Sequence, residues 1–312
     1  MDPPLMVLPG PSSHELAGRI ASQLEAPTLP VDVRVFSDGE SKVRLGEQPP
    51  LSARDKRCVI VQSTHPPVDR NLMLLLMMAQ GCRRLGAAEV IAVVPYLGYA
   101  RQDKSFLPGE VVSIELVADL MQTSGISRLI TVDIHSKQAE SLFQIPVQAV
   151  SAVPQLASSI LDMGLKNPVA VSPDTGGVAR AKEFARLMQA DFGALKKTRD
   201  RQTGDVSIDE KIDFDVVGRD VVLVDDMISS GHSIAKAARV LLRNRASAIY
   251  AACTHALLMD DATSRMKEAG VSEIIATNSV PNIFERVNLA PLLADAIINY
   301  PVINSSMGGR LS

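Results

Sequence analysis

Short β-branched apolar runs alternate with amphipathic stretches along most of this 312-residue chain, and that alternation limits its fold more than any other feature. Cys58 to Gln62, Glu89 to Pro95, Arg128 to Asp133, Pro168 to Pro173, Asp220 to Asp225 and Ser247 to Thr254 read as strands, several of them apolar throughout. Parallel strands covered on both faces have that character. Asn71 to Leu85, Ser113 to Thr123, Val178 to Met188 and Ser233 to Arg243 read as amphipathic helices between them. Strand, helix, strand at this spacing predicts an α/β fold with right-handed crossovers.

A faint internal repeat points to two similar units. Residues 58–94 and 220–254 share one plan, an apolar strand, a polar or small-residue loop, a long helix and a second apolar strand. The expected organisation is therefore two α/β domains, 1–150 and 151–297, with the boundary near Pro146 to Pro154 and a tail of about 298–312 packing back on the first domain.

Composition narrows the partners. Aromatic residues are 4% of the chain and Trp is absent, which argues against the stacking platforms of a single-strand nucleic-acid binder. A net charge of −3 supplies no broad basic field for duplex DNA or an anionic membrane, so an anionic ligand must be held locally. The longest apolar stretch, Leu72 to Ala79, is well short of the roughly 20 residues of a membrane span. The N-terminal MDPPLMVLPGPSS does not resemble a signal peptide. Cys58, Cys82 and Cys253, widely spaced and set among apolar residues, suggest buried thiols rather than a disulfide framework or zinc site. The expectation is a cytoplasmic protein with neither nucleic acid nor membrane as partner.

The most informative segment is residues 221–241, VVLVDDMISSGHSIAKAARVL. Four apolar residues form a strand, Asp225 and Asp226 close it, and Ser229, Ser230, Gly231, His232 and Ser233 lead into a helix. Loop and helix N–H groups of this kind, with hydroxyls beside them, suit an anion. The two carboxylates do not; their partners are sugar hydroxyls or a metal ion. A sugar phosphate satisfies both halves. The plainer alternative is a helix capped by Ser233 behind solvated acids. Two adjacent carboxylates at the C-terminal edge of a parallel strand, where open α/β sheets bind ligands, favour the sugar phosphate.

This segment resembles the phosphoribosyl-diphosphate loop shared by phosphoribosyltransferases and ribose-phosphate pyrophosphokinases. FSDGE at 36–40, PYLGYARQDKSF at 95–106, TVDIHSKQ at 131–138, VSPDTGGVARAKEFA at 171–185 and KKTRD at 196–200 follow the order of the pyrophosphokinase family, over roughly residues 5–300. The resemblance implies two phosphoribosyltransferase-like domains, each a mostly parallel sheet flanked by helices. It also implies transfer of a diphosphoryl group from ATP to the anomeric hydroxyl of ribose 5-phosphate. In the family's pattern Phe36, Asp38, Glu40, Arg101, Gln102 and His135 bind ATP. Asp174, Asp225, Asp226 and the loop of Ser229, Ser230, Gly231, His232 and Ser233 bind ribose 5-phosphate. His135 and Asp174 contact Mg2+, and Lys197 and Arg199 are the catalytic cations of a loop that closes over bound substrates. Lys197 rather than Lys196 is assigned by alignment alone. The resemblance further implies a homo-oligomer whose ATP site takes residues 36–40 from a neighbouring subunit.

The chain departs from the commonest members in three places. His232 puts a bulky side chain where a tiny one is usual, which predicts crowding or unusual backbone geometry in the phosphate loop. Gln144 stands where many members carry an acid, and Lys137 adds a cation. KKTRD and RQDKSFLPGE look like the archaeal-type members. Two alternatives stay open: a non-catalytic regulatory relative and, more distantly, a phosphoribosyltransferase, which leaves FSDGE and ARQD unexplained.

Overall fold

The structure is a computed structural model that describes residues 3–46, 51–105, 107–199, 206–208 and 212–299, with Lys197–Arg199 and Val206–Ile208 described in their backbone alone. In chain order the first half forms β1 (Leu5–Pro9), α1 (His14–Gln23), β2 (Val31–Val35), β3 (Ser41–Leu45), β4 (Arg57–Val61), α2 (Val68–Arg84), β5 (Glu89–Val94), α3 (Ser113–Ser124), β6 (Arg128–Val132), α4 (Lys137–Ser141) and β7 (Val147–Val150). The second forms α5 (Val153–Leu161), β8 (Val169–Ser172), α6 (Val178–Met188), β9 (Asp191–Ala194), β10 (Lys197–Arg199), β11 (Val206–Ile208), β12 (Asp220–Ile228), α7 (His232–Arg243), β13 (Ala248–Ala256), α8 (Ala262–Glu268), β14 (Val271–Thr277), β15 (Glu285–Val287) and α9 (Ala290–Ile298).

Two parallel sheets result, one of order β1-β4-β5-β6-β7 and one of order β15-β14-β13-β12-β8-β9. Their central strands are buried on both faces, as in RLITV of β6, because helices cover both sides. Side chains on alternate residues divide the core. Met6 and Leu8 pack with α2 and α3, while Val7 joins a larger cluster that also holds Val222 and Val224 of β12 and buried residues of α1, α5, α6 and α9. One apolar core therefore serves a face of each sheet, and a third cluster under α7 and α8 covers the other face of the second sheet. Helix α9, APLLADAII, packs on α1, β6 and β7 of the first half. Residues 300–312, the greater part of the expected tail, lie outside the described residues.

Three segments differ from the sequence reading. β12 does not end at the carboxylates but runs on to Ile228, because Met227 and Ile228 continue the ladder with His255 and Ala256. FSDGE closes an antiparallel hairpin of β2 and β3, two strands absent from the sequence assignment, with Gly39 at φ 92° supplying the left-handed residue. Lys197–Arg199 of the KKTRD segment pair antiparallel with Val206–Ile208, β10 with β11, where a loop was expected. Among the described residues no helix is long and apolar enough to cross a membrane. The three cysteines are buried, and none forms a disulfide among the described residues.

The shared core makes a testable claim. Leu293 of α9 is fully buried in it, so Leu293→Ala is expected to cost about 2–5 kcal/mol. Calorimetry should show one transition at lower temperature, since both sheets lose the same contacts. Two separated transitions would mean that the halves unfold independently.

Candidate active site

The second sheet reverses direction between β8 and β12: the chain leaves β8 toward β9 on one side and leaves β12 toward β13 on the other. A crevice opens at such a reversal, beyond the C-terminal ends of the two strands. Asp174 follows β8, and Asp225 and Asp226 lie in the second half of β12. A cavity of about 240 Å³ sits there, lined by Arg101, His135, Asp174, both aspartates and residues 227–234. A second, of about 400 Å³, adjoins it through Arg101 and Met227 and is lined otherwise by Val68, Asp69 and residues 96–102.

The loop of residues 229–233 is held from behind. Leu258 and Met259 donate backbone N–H groups to the carbonyls of Ile228 and Ser229 at 3.0 Å each, and the Arg265 guanidinium donates to the carbonyl of Ser230. Gly231 caps α7 at φ 71°, and an added Cβ would meet the carbonyl oxygen of Ala262 at 3.1 Å, so this position requires glycine. His232 is the first residue of α7, exposed, with Nδ1 at 2.9 Å from Ser230 Oγ. The expected crowding at His232 is absent, because the left-handed residue is its neighbour and the imidazole extends toward solvent.

The carboxylate pair is the electrostatic centre. His135, from the loop after β6, donates its Nδ1 proton to Asp226 Oδ2 at 2.7 Å, joining the two halves across the cavity. Arg180, in the first turn of α6, lies 3.4 Å from Asp226 Oδ1 and 3.6 Å from Asp225 Oδ1. Burial alone would push Asp226 up, but the His135 hydrogen bond and the Arg180 charge outweigh it and hold this carboxyl well below the usual range. Burial, with the Asp226 charge beside it, pushes Asp225 up to about 8. Two like charges in one desolvated place do not both ionise freely, and the member that also receives the His135 hydrogen bond takes the charge.

The remaining expected residues are distributed around this centre. Asp174 Oδ1 accepts from the N–H groups of Gly176 and Gly177 at 2.9 and 3.3 Å, which fixes its carboxylate over the start of α6. Gln102 accepts from Ser113 Oγ at 2.6 Å and lines the larger cavity with Arg101. Phe36, Asp38 and Glu40 are exposed on the hairpin turn, Arg34 stacking on the Phe36 ring at 5.4 Å, and they line neither cavity. The side chains of Lys197 and Arg199, and the whole of Phe106 and Asp200, lie outside the described residues. Arg180 was not anticipated. Its signal was available, an arginine one turn into the helix that follows SPDTGG, where it reaches the neighbouring strand end.

Two family models match the chain: the N-terminal domain of ribose phosphate pyrophosphokinase over residues 5–125, and the phosphoribosyl synthetase-associated domain over residues 208–297. The chain is 36% identical over 292 residues to the ribose-phosphate pyrophosphokinase of Methanothermobacter thermautotrophicus, covering 94% of this chain and 99% of the relative. It belongs to the ribose-phosphate pyrophosphokinase family. The Methanopyrus kandleri pyrophosphokinase is 40% identical over 297 residues, covering 95% of this chain and 99% of the relative. The crystal structure of the phosphoribosylpyrophosphate synthetase from Mycobacterium smegmatis superposes with a TM-score of 0.85 at 34% identity, over 95% of this chain and 98% of that one. The pyrophosphokinase fold thus extends over both sheets and the seam between them.

The protonated carboxyl has a consequence for stability. An unfolded aspartate loses its proton near pH 4, whereas Asp225 keeps it to about 8. Within that window the folded pyrophosphokinase binds the extra proton, so its stability falls as pH rises. Asp225→Asn resembles the protonated form at every pH. It is expected to melt above wild type at pH 8, by clearly more than at pH 4 to 5. Scanning fluorimetry at both pH values checks this, and a gain of equal size at both would place the proton elsewhere.

Proposed function

We propose that this chain transfers the β,γ-diphosphoryl group of ATP to the C1 hydroxyl of ribose 5-phosphate, giving phosphoribosyl diphosphate and AMP. The sugar oxygen bonds to the β-phosphorus as the bond from that phosphorus to the α,β-bridging oxygen breaks; AMP leaves with that oxygen, and the hydroxyl proton passes to water. One observation carries the reading: the His135–Asp226 hydrogen bond of 2.7 Å brings an ATP-side residue onto the sugar-side carboxylates, in a cavity that also contains the phosphate loop. Both reactants can therefore meet in one place, as an in-line transfer requires.

In this reading the N–H groups and hydroxyls of residues 229–233 hold the 5-phosphate, and Asp225 and Asp226 accept hydrogen bonds from the ribose hydroxyls. Arg101 and Gln102 hold ATP from the larger cavity. His135, its Nδ1 committed to Asp226, presents Nε2 to the phosphates. Lys197 and Arg199 approach from the β10–β11 hairpin to offset charge on the transferring group. Phe36, Asp38 and Glu40, which line neither cavity of their own chain, serve the ATP site of a neighbouring copy in a homo-oligomer. We take 1–150 and 151–297 as two phosphoribosyltransferase-like domains, and a cytoplasmic setting goes with these substrates.

Mg2+ fits the donor set. Among the described residues no three His, Cys, Asp or Glu side chains gather as a metal cage. That suits an ion which takes one or two carboxylates and completes its octahedron with water and phosphate oxygens. Asp174 would hold it, with His135 alongside. When bound, it neutralises charge on the transferring diphosphoryl group.

Phosphorus NMR of the purified chain with ATP, ribose 5-phosphate and Mg2+ tests the proposal. AMP and a C1-diphosphate should appear in equal amounts, with Lys197→Ala slower by about 10²–10³-fold. ATP that binds and stays intact would instead indicate a regulatory relative without catalysis.

A further inference from the structure

The two sheets meet along a seam of buried polar groups set just behind the cavity. Thr254, fully buried on β13, donates its hydroxyl to Asp133 Oδ2 at 2.6 Å. The same oxygen accepts from the N–H of Ala152 at 3.1 Å, and Oδ1 accepts from Ser151 Oγ at 2.8 Å. Next to Thr254, buried His255 donates from Nε2 to the carbonyl of Val132 at 3.1 Å. Ser279 Oγ stands within hydrogen-bond reach of both His255 Nδ1, at 2.9 Å, and the carbonyl of Thr254, at 2.8 Å. Asp133 has φ 39°, a left-handed backbone that a non-glycine residue holds only when its surroundings impose it.

These contacts converge on the turn that carries His135. Thr254 belongs to the sheet that binds sugar phosphate, beside Asp226 in the ladder, since Asp225 pairs with Cys253 and Met227 with His255. What it grips is in the other sheet, two residues before His135. The His135 side chain is 40% exposed, and its hydrogen bond to Asp226 is the one that the described residues provide. The turn and that one hydrogen bond therefore determine where its ring sits.

We propose that Thr254 is a positioning residue for the ATP side of the reaction: from the sugar-binding sheet it sets the Asp133 turn, and through it the reach of His135. This rests on the functional reading above, in which His135 meets the phosphates of ATP. It separates local from transmitted effects. A residue in the sugar-binding sheet should govern ATP kinetics and leave ribose 5-phosphate binding alone.

Steady-state kinetics of Thr254→Val, which keeps the shape and removes the hydroxyl, test it, with Thr254→Ser restoring the donor. Losing a buried hydrogen bond to a carboxylate should raise KM for ATP at least about fivefold and lower kcat. KM for ribose 5-phosphate should stay within about twofold, and the serine variant should stay near wild type on all three. Ser151→Ala, at an exposed position on the same carboxylate, should shift KM for ATP in the same direction by less, and decides the matter if Thr254→Val does not fold. Unchanged KM for ATP in both variants, an equal rise for ribose 5-phosphate, or a loss that serine fails to restore would overturn the proposal. A wild-type protein that makes no phosphoribosyl diphosphate overturns the functional reading instead.

Discussion

Two aspartates side by side near the end of a buried strand are a liability that β12 cannot resolve by itself. Removing both carboxylates from water is costly, and placing their charges together adds to it. The compensation comes from elsewhere in the chain: His135 from the loop after β6, and Arg180 from the first turn of α6. Asp225 retains a proton for the rest. The centre of the site is thus complete only when β6, β12 and α6 have come together. Charge compensation and assembly of the two halves are one event.

Sheet topology explains why the parts arrive where they do. The reversal at β8 and β12 leaves a crevice with Asp174 on one side and the aspartate pair on the other. β12 then continues into a loop whose shape depends on a single left-handed glycine, Gly231, pinned by Leu258, Met259 and Arg265. A phosphate would meet donors already in place, so little ordering cost attends its binding. The first half contributes His135 and Arg101 from segments that follow its own strand ends, and so two separate sheets present chemistry to one space.

How much of this could be read in advance varied with how local its cause is. Apolar runs such as Val221 to Val224 and Val90 to Val94 announce buried strands, because a residue apolar on both faces has few other places to go. The Asp225–Ser233 segment was legible for the same reason: strand end, carboxylates, hydroxyls and the glycine are contiguous. The β2–β3 hairpin was hidden by its half-exposed, charge-bearing strands, VDVRV and SKVRL, which lack a continuous apolar signal. The extension of β12 to Ile228 depends on pairing with His255 and Ala256, which no reading of β12 alone supplies. Arg180 and Thr254 were missed because each acts on a partner 46 or 121 residues distant. His232 misled in the other direction, since bulk matters only if the side chain turns inward, and the helix start turns it out.

The placement of α9 has a bearing on how the protein is made. This helix is translated last among the described elements, yet it lies on α1, β6 and β7, which are translated in the first half. Until residue 290 and beyond have left the ribosome, the apolar face of the first sheet that Leu293 and Ile297 cover stays open to water. A nascent chain halted between β15 and α9 carries every described strand with part of the apolar surface uncovered, the kind of surface that makes such species prone to aggregate. The first sheet therefore gains its last cover only when the final described helix has been made.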